Sequence, residues 1–329
     1  ADASNAIIVN ASENVLKKAS TLTSVTQVFP SERTRIAVWL KAIRIHQWLK
    51  NLLLFVPLLA AHQIGNVHSL GLLVVAFFSF SLCASSVYIT NDLLDLESDR
   101  RHSRKRLRPF ASAKLSVSQG LIASPLLIAA SFLLGAIVSV EFLFVLLVYL
   151  FLTLMYSFSL KRLVLVDCLT LATLYTMRII AGAAAVSVSL SFWLLAFSIF
   201  IFLSLAFVKR YAELLVQSQE GKNSAHGRGY LVTDAPLLQA FGVSSSYIST
   251  LVIALYTRSE NVISLYAHPL AIWLVIPILL FWVSWVWLKS SRGEMHDDPI
   301  VFAAKDKTSL SVAVITAFVF IYAAIGFDF

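Results

Sequence analysis

Three carboxylates, Asp92, Asp95 and Asp99, sit in the run Asn91-Asp92-Leu93-Leu94-Asp95-Leu96-Glu97-Ser98-Asp99. Offsets of three and seven residues share one face of a helix. Acids crowded at a membrane interface repel one another unless a cation neutralises them. Hard divalent cations take carboxylate oxygens and leave coordination positions open for phosphate. The pattern points to a Mg²⁺-diphosphate site, the alternative being a solvated acidic helix end. The basic run that follows at once, Arg100, Arg101, His102, Arg104, Lys105, Arg106 and Arg108, favours the first reading. Much of that run suits a topological anchor. A metal-bridged diphosphate still carries negative charge that cationic side chains take up, so Arg101, Arg104, Lys105 and Arg106 are candidates for substrate contact.

Other polar clusters interrupt an otherwise apolar chain. In Arg44-Ile45-His46-Gln47-Trp48-Leu49-Lys50-Asn51, Gln47 and Asn51 are four apart and predict one polar helical face, while Trp48 and Lys50 also fit interface anchors. Tyr156-Ser157-Phe158-Ser159-Leu160-Lys161 offers a phenol, hydroxyls and an ammonium suited to phosphate oxygens. Arg178 lies among Met177, Ile179 and Ile180, where an unpaired cation costs at least a few kcal/mol, so a substrate or carboxylate partner is expected. Lys209-Arg210-Tyr211-Ala212-Glu213 closes another apolar stretch. The polar loop behind it, with Gly221, Gly227, Arg228, Gly229, Tyr230 and Asp234, is long enough for a lid. Arg292 to Pro299 holds metal-ligand residue types, but Asp297 and Asp298 are adjacent and precede a proline, a pattern equally good for a helix cap and preferred as such.

The elements that must position these residues follow from composition. Of 329 residues, 58% are hydrophobic and 13% charged, and mean hydropathy is +0.81. These values exclude an ordinary water-soluble domain. Apolar runs of membrane-spanning length predict an all-α polytopic bundle of nine helices. They are placed at 36–62, 67–95, 117–140, 142–161, 164–187, 191–216, 236–257, 268–289 and 308–327. Lys and Arg exceed Asp and Glu by 26 to 18, and they concentrate in the connections after the second, fourth, sixth and eighth helices. By the retention of positive charge inside, those ends face the cytoplasm and the C-terminus lies outside. Topology therefore explains the excess, and no nucleic-acid partner is expected. Cys83 and Cys168, in or beside apolar segments, are read as packing residues rather than a disulfide or zinc pair.

Residues 1–35 differ in kind. Ile7 to Val9, Glu13 to Ala19 and Val25 to Phe29 read as strand, helix and strand, the end of a cytoplasmic α/β domain, and the reading expects a piece of a longer protein.

The form Asn-Asp-x-x-Asp-x-x-x-Asp at Asn91 to Asp99 resembles the UbiA superfamily of intramembrane prenyltransferases, over residues 36–329. The resemblance implies a nine-helix bundle in the bacterial inner membrane with a cytoplasmic active site. Members acting on aromatic acceptors carry paired acids after the sixth helix, where this chain has Lys209, Arg210, Tyr211 and Glu213. With Gln47 to Asn51 and Tyr156 to Lys161, that departure is similar to the branch typified by decaprenyl-phosphate phosphoribosyltransferase. The branch implies a Mg²⁺-dependent transfer of 5-phosphoribose from phosphoribosyl diphosphate to a polyprenyl phosphate, for lipid-linked arabinofuranose synthesis. Asp92, Asp95 and Asp99 would hold the metal and Asn91 would orient an acid or a metal water. Lys50, Lys161 and Arg178, with some of Arg101 to Arg106, would hold phosphate groups. Residues 1 to about 30 look like the tail of a haloacid-dehalogenase-type phosphatase, fused or acting as a partner. Two rivals remain open: a prenyltransferase for aromatic acceptors, and a transporter. Oligomeric state stays open, a homo-oligomer included.

Overall fold

The structure is a computed structural model describing residues 4–9, 11, 13–29, 36–101, 105–221, 229–295 and 298–326. Outside the bundle, β1 (Asn5–Val9), α1 (Glu13–Leu22) and β2 (Ser24–Phe29) form a two-stranded parallel sheet with its crossover helix. This matches the strand-helix-strand pattern expected of the segment and adds an α/β unit to the all-α bundle.

The bundle runs α2 (Ile36–Ala42), a 3₁₀ helix (Ile45–Phe55), α3 (Val56–Ala60), α4 (Val67–Leu94), α5 (Leu96–Arg101), α6 (Val117–Val138), α7 (Val140–Phe158), α8 (Val166–Ala185), α9 (Phe192–Gln219), α10 (Ala235–Tyr256), α11 (Glu260–Leu265), α12 (Val275–Ser291), α13 (Pro299–Ala303) and α14 (Lys307–Ile325). Among the described residues, eight helical segments are long and apolar enough to cross a membrane, and they coincide with the second to ninth expected spans. Side-chain caps set several starts. Asn66, Ser139, Ser191 and Asp306 each accept a backbone N–H, and Ser116 with Gln119 makes a reciprocal capping box.

The first expected helix, 36–62, is not continuous. Arg44 turns left-handed (φ 53°) after α2, and an eleven-residue 3₁₀ run follows before α3. Ser85 pins the break to α4, donating to the Ile43 carbonyl (2.8 Å) and accepting from Trp48 Nε1 (3.0 Å). With three residues per turn, positions three apart share a face. Asn51, Leu54 and Pro57 accordingly point inward together, displacing the Gln47–Asn51 face expected of an α-helix. Gly182 of α8 lets this segment approach, since a Cβ there would lie 2.0 Å from the Leu54 carbonyl oxygen.

Membrane helices gain little from mutual burial of apolar surface, so close small-residue contact and interhelical hydrogen bonds join them. Between α4 and α6, Ser79 and Ser131 donate to each other's carbonyls, both at 2.7 Å, and Thr90 meets Ser124 at 2.8 Å. The connections after α4, α7, α9 and α12 meet at one end of the bundle, where Asp95 contacts Lys161, Arg210 contacts Tyr156, and Lys209 contacts Asp298.

Candidate active site

Asp92 and Asp99 share one end of α4–α5. The helix turns at Asp95, whose N–H bonds to the Asn91 carbonyl (2.9 Å) while its own carbonyl accepts from Asp99 (2.8 Å). Asp92 Oδ1 accepts from Arg44 Nη2 (2.5 Å) and Arg108 Nη1 (3.2 Å), and Asp99 Oδ2 accepts from the same Arg108 nitrogen at 2.6 Å. Two buried carboxylates thus converge on a single cationic atom. Asp99 Oδ1 is also buried and has no hydrogen-bond partner, a costly arrangement for a carboxylate that a cation would relieve. On these observations Asp92 and Asp99 fit a divalent cation. Asp95 stands apart from them. Its carboxylate is half-exposed and faces Lys161 at 3.6 Å, and among the described residues no three His, Cys, Asp or Glu side chains gather at one point. The turn at Asp95 (φ −90°, ψ 10°) accounts for the separation from an ideal common face.

A second group forms around Asp298, the N-cap of α13. Its Oδ2 accepts from Lys50 Nζ (2.7 Å) and Lys209 Nζ (3.2 Å), and Tyr175 Oη lies 3.1 Å from both oxygens. Burial pushes the Asp298 carboxyl up, but the Lys209 and Lys50 ammoniums and their hydrogen bonds outweigh it and hold the group well below the usual carboxylate range. Lys50 is therefore buried against a carboxylate rather than reaching headgroups as an anchor.

The third group is the fully buried Arg210. It donates to Asp167 Oδ2 (2.5 Å), Glu213 Oε2 (2.6 Å) and Tyr156 Oη (3.0 Å). Tyr230 donates to Asp167 Oδ1 (2.5 Å) and accepts the Leu165 N–H (2.8 Å), fastening the segment after α9 to the start of α8. Arg210, Glu213 and Tyr156 are brought together, but as an internal ion-pair network. Tyr211 is not with them, since its ring packs 5.9 Å from that of Trp287 in the apolar core.

Arg178 meets no carboxylate among the described residues, contrary to that part of the expectation. Its partners are neutral: Asn51 Oδ1 (3.0 Å), the Leu174 carbonyl (2.5 Å) and Tyr149 Oη (3.0 Å), with the rings of Phe80, Tyr149 and Tyr175 within 5.5 Å. Asn51 passes its amide on to Ser81 (2.8 Å). Asn91 and Gln47 are half-buried, and Arg101, Lys105 and Arg106 are exposed at the end that carries Asp99. Arg104, with His102, lies outside the described residues, as do Lys222, Gly227, Arg228, His296 and Asp297.

The sequence does not single out Asp167 or Tyr175, offers Asp298 as a cap or a metal-ligand type rather than as a partner of lysines, and leaves Arg44 and Arg108 inside longer basic clusters. A lone acid, Asp167, opening an apolar helix was the available signal.

The model of the UbiA prenyltransferase family matches residues 52–310. This chain belongs to the UbiA prenyltransferase family. It is similar to the uncharacterized protein y4nM of Sinorhizobium fredii, 37% identical over 94% of this chain and 60% of that protein. It is also similar to the nodulation protein NoeC of Azorhizobium caulinodans, 35% identical over 82% of this chain and 88% of that one. Decaprenyl-phosphate phosphoribosyltransferase of Mycolicibacterium smegmatis is 36% identical over 55% of this chain and 58% of its own length. The matches therefore span about three fifths of two of these three relatives. In fold, a UbiA homologue from Archaeoglobus fulgidus bound to GPP and Mg²⁺ superposes with a TM-score of 0.65 at 15% identity, covering 88% of this chain and all of that one. As a UbiA-family chain with multiple apolar helices, it is a multi-pass membrane protein.

Proposed function

We propose that this chain transfers 5-phosphoribose from phosphoribosyl diphosphate to a polyprenyl phosphate at the cytoplasmic face of a bacterial inner membrane. The observation carrying the reading is the convergence of Asp92 and Asp99 on one cationic atom, at a bundle end crowded with further cations. Asp92 and Asp99 would hold Mg²⁺, which when bound supplies charge neutralisation for a departing pyrophosphate, with Asp95 beside them facing Lys161.

Each of the three acids faces a basic side chain, Arg44, Arg108 or Lys161. Arg44, Arg108 and Lys161 would take up diphosphate oxygens as charge builds on them. The donor's C1–O bond to diphosphate breaks, and a C1–O bond to the acceptor phosphate forms. The attacking oxygen is already ionised, so no proton needs removing, in keeping with a described site built from acids, lysines, arginines and tyrosines. Lys209 to Glu213 in place of paired acids after the sixth span supports a donor held by cations rather than by a second metal-binding motif, as does the similarity to the mycobacterial enzyme. We read residues 5–29 as the end of a haloacid-dehalogenase-type phosphatase domain that would remove the product's 5-phosphate. The β-α-β unit with exposed Ile7, Val9 and Leu22 supports this.

The family match and the GPP-bound fold neighbour favour a second reading, prenyl transfer to an aromatic acceptor. The test is substrate profiling of purified protein with Mg²⁺. Label from phosphoribosyl diphosphate is expected on a lipid phosphate. Consumption of prenyl diphosphate alone would overturn the proposal.

A further inference from the structure

The Asp298 group joins three parts of the chain that are distant in sequence, Lys50 of the 3₁₀ helix, Tyr175 of α8 and Lys209 of α9, around a side chain delivered by the five-residue α13. Two ammoniums, Lys50 buried and Lys209 about one-third exposed, and a phenol point at one buried carboxylate, an excess of one positive charge. Three convergent donors with surplus positive charge form an anion site, and here a carboxylate of the protein fills it.

The carboxylate is held differently from its neighbours. Lys50, Tyr175 and Lys209 belong to long, packed segments of the bundle, whereas Asp298 sits at the start of a short helix in the connection between α12 and α14.

We propose that Lys50, Lys209 and Tyr175 form a subsite for a phosphomonoester, that Asp298 occupies it in the absence of ligand, and that substrate binding displaces Asp298 together with α13. The inference rests on the phosphate-substrate reading above and adds an internal competitor to it. The ligand is either the donor's 5-phosphate or the acceptor's lipid phosphate, since both present a terminal dianionic phosphate. An internal competitor lowers apparent affinity by the fraction of time the subsite is open, so occupancy near 90% weakens binding about tenfold.

The experiment is calorimetric titration of full-length protein in detergent with ribose 5-phosphate in one arm and farnesyl monophosphate in the other. Asp298→Asn should bind one of the two up to about tenfold more tightly than wild type, and the arm that gains identifies the occupant. Lys50→Met and Lys209→Met should each weaken that same arm. Unchanged or weaker binding of both probes by Asp298→Asn would overturn the proposal, because a carboxylate that merely positions the lysines helps binding. Should the variant fold poorly, hydrogen exchange of residues 298–303 in wild type decides. Faster exchange on saturation with the probe is expected, and unchanged or slower exchange refutes displacement. Neither readout requires turnover, so a failed transfer assay with a gain in the titration would remove the substrate assignment and leave the subsite.

Discussion

Replacement of Asp167 by Ala tests the view that the buried Arg210 network holds the active end of the bundle together. The guanidinium is about 1% exposed, and of its two acidic partners Asp167 is fully buried while Glu213 is roughly one-third exposed. Removing one partner of a buried pair costs roughly 3–5 kcal/mol, because the other charge is left without compensation. Glu213 and Tyr156 still hold two of the three donors, which places the loss at the lower end, about 3 kcal/mol. At about 2 °C per kcal/mol for a chain of this size, the unfolding midpoint should fall by roughly 6 °C. The protein supplies its own reporter, since Cys83 and Cys168 are both fully buried and react with a fluorogenic thiol dye only on unfolding. A paired replacement, Asp167→Leu with Arg210→Met, removes both charges and should recover most of the loss. A fall of less than about 2 °C in the single variant, or no recovery in the double, would refute the reasoning.

Asp92→Asn should lower turnover by at least about a hundredfold while leaving membrane insertion and elution volume unchanged, the loss expected when transition-state charge is no longer met. Chelation of divalent cations with EDTA should abolish transfer, with activity restored by added Mg²⁺; activity persisting in EDTA would remove the metal from the scheme. Gly182→Ala places a methyl against the Leu54 backbone. It should cost stability at the top of the roughly 1–3 kcal/mol range for overpacking, read with the same thiol dye. The Asp298 carboxyl is depressed in the folded protein. Its stabilising contribution is therefore present above the ordinary carboxylate range and lost only as pH falls well below it. Exchange protection of α13 should persist through pH 5, and loss of protection between pH 6 and 5 would contradict the ion pairing.

The course of the chain through the bundle was legible because long apolar runs leave few alternatives, and eight of the expected segments fall within a few residues of their helices. The first was misjudged in type. No glycine or proline marks residues 43–46, and the break arises from tertiary contacts of Arg44 and Ser85 that local pattern does not record. Spacing also says which residues share a face of one helix, but not which helix ends meet. Asp92, Asp99, Lys50 and Lys209 were therefore nameable as candidates. Their actual partners, Arg108 for the two acids and Asp298 for the two lysines, emerge only once the connections fold over one another. Asp298 was recognised as a cap, and it is one, accepting the Ile300 N–H at 3.3 Å. Its larger role depends on chain more than eighty residues away.

A 3₁₀ helix rises about 2.0 Å per residue against 1.5 Å for an α-helix. The eleven residues of Ile45–Phe55 and the five of Val56–Ala60 therefore cover about 30 Å, close to the hydrocarbon thickness of a bilayer, where a wholly α-helical stretch of that length would stop near 24 Å. Stretching the backbone gives this short segment the reach of a longer helix while keeping Lys50 and Asn51 turned inward.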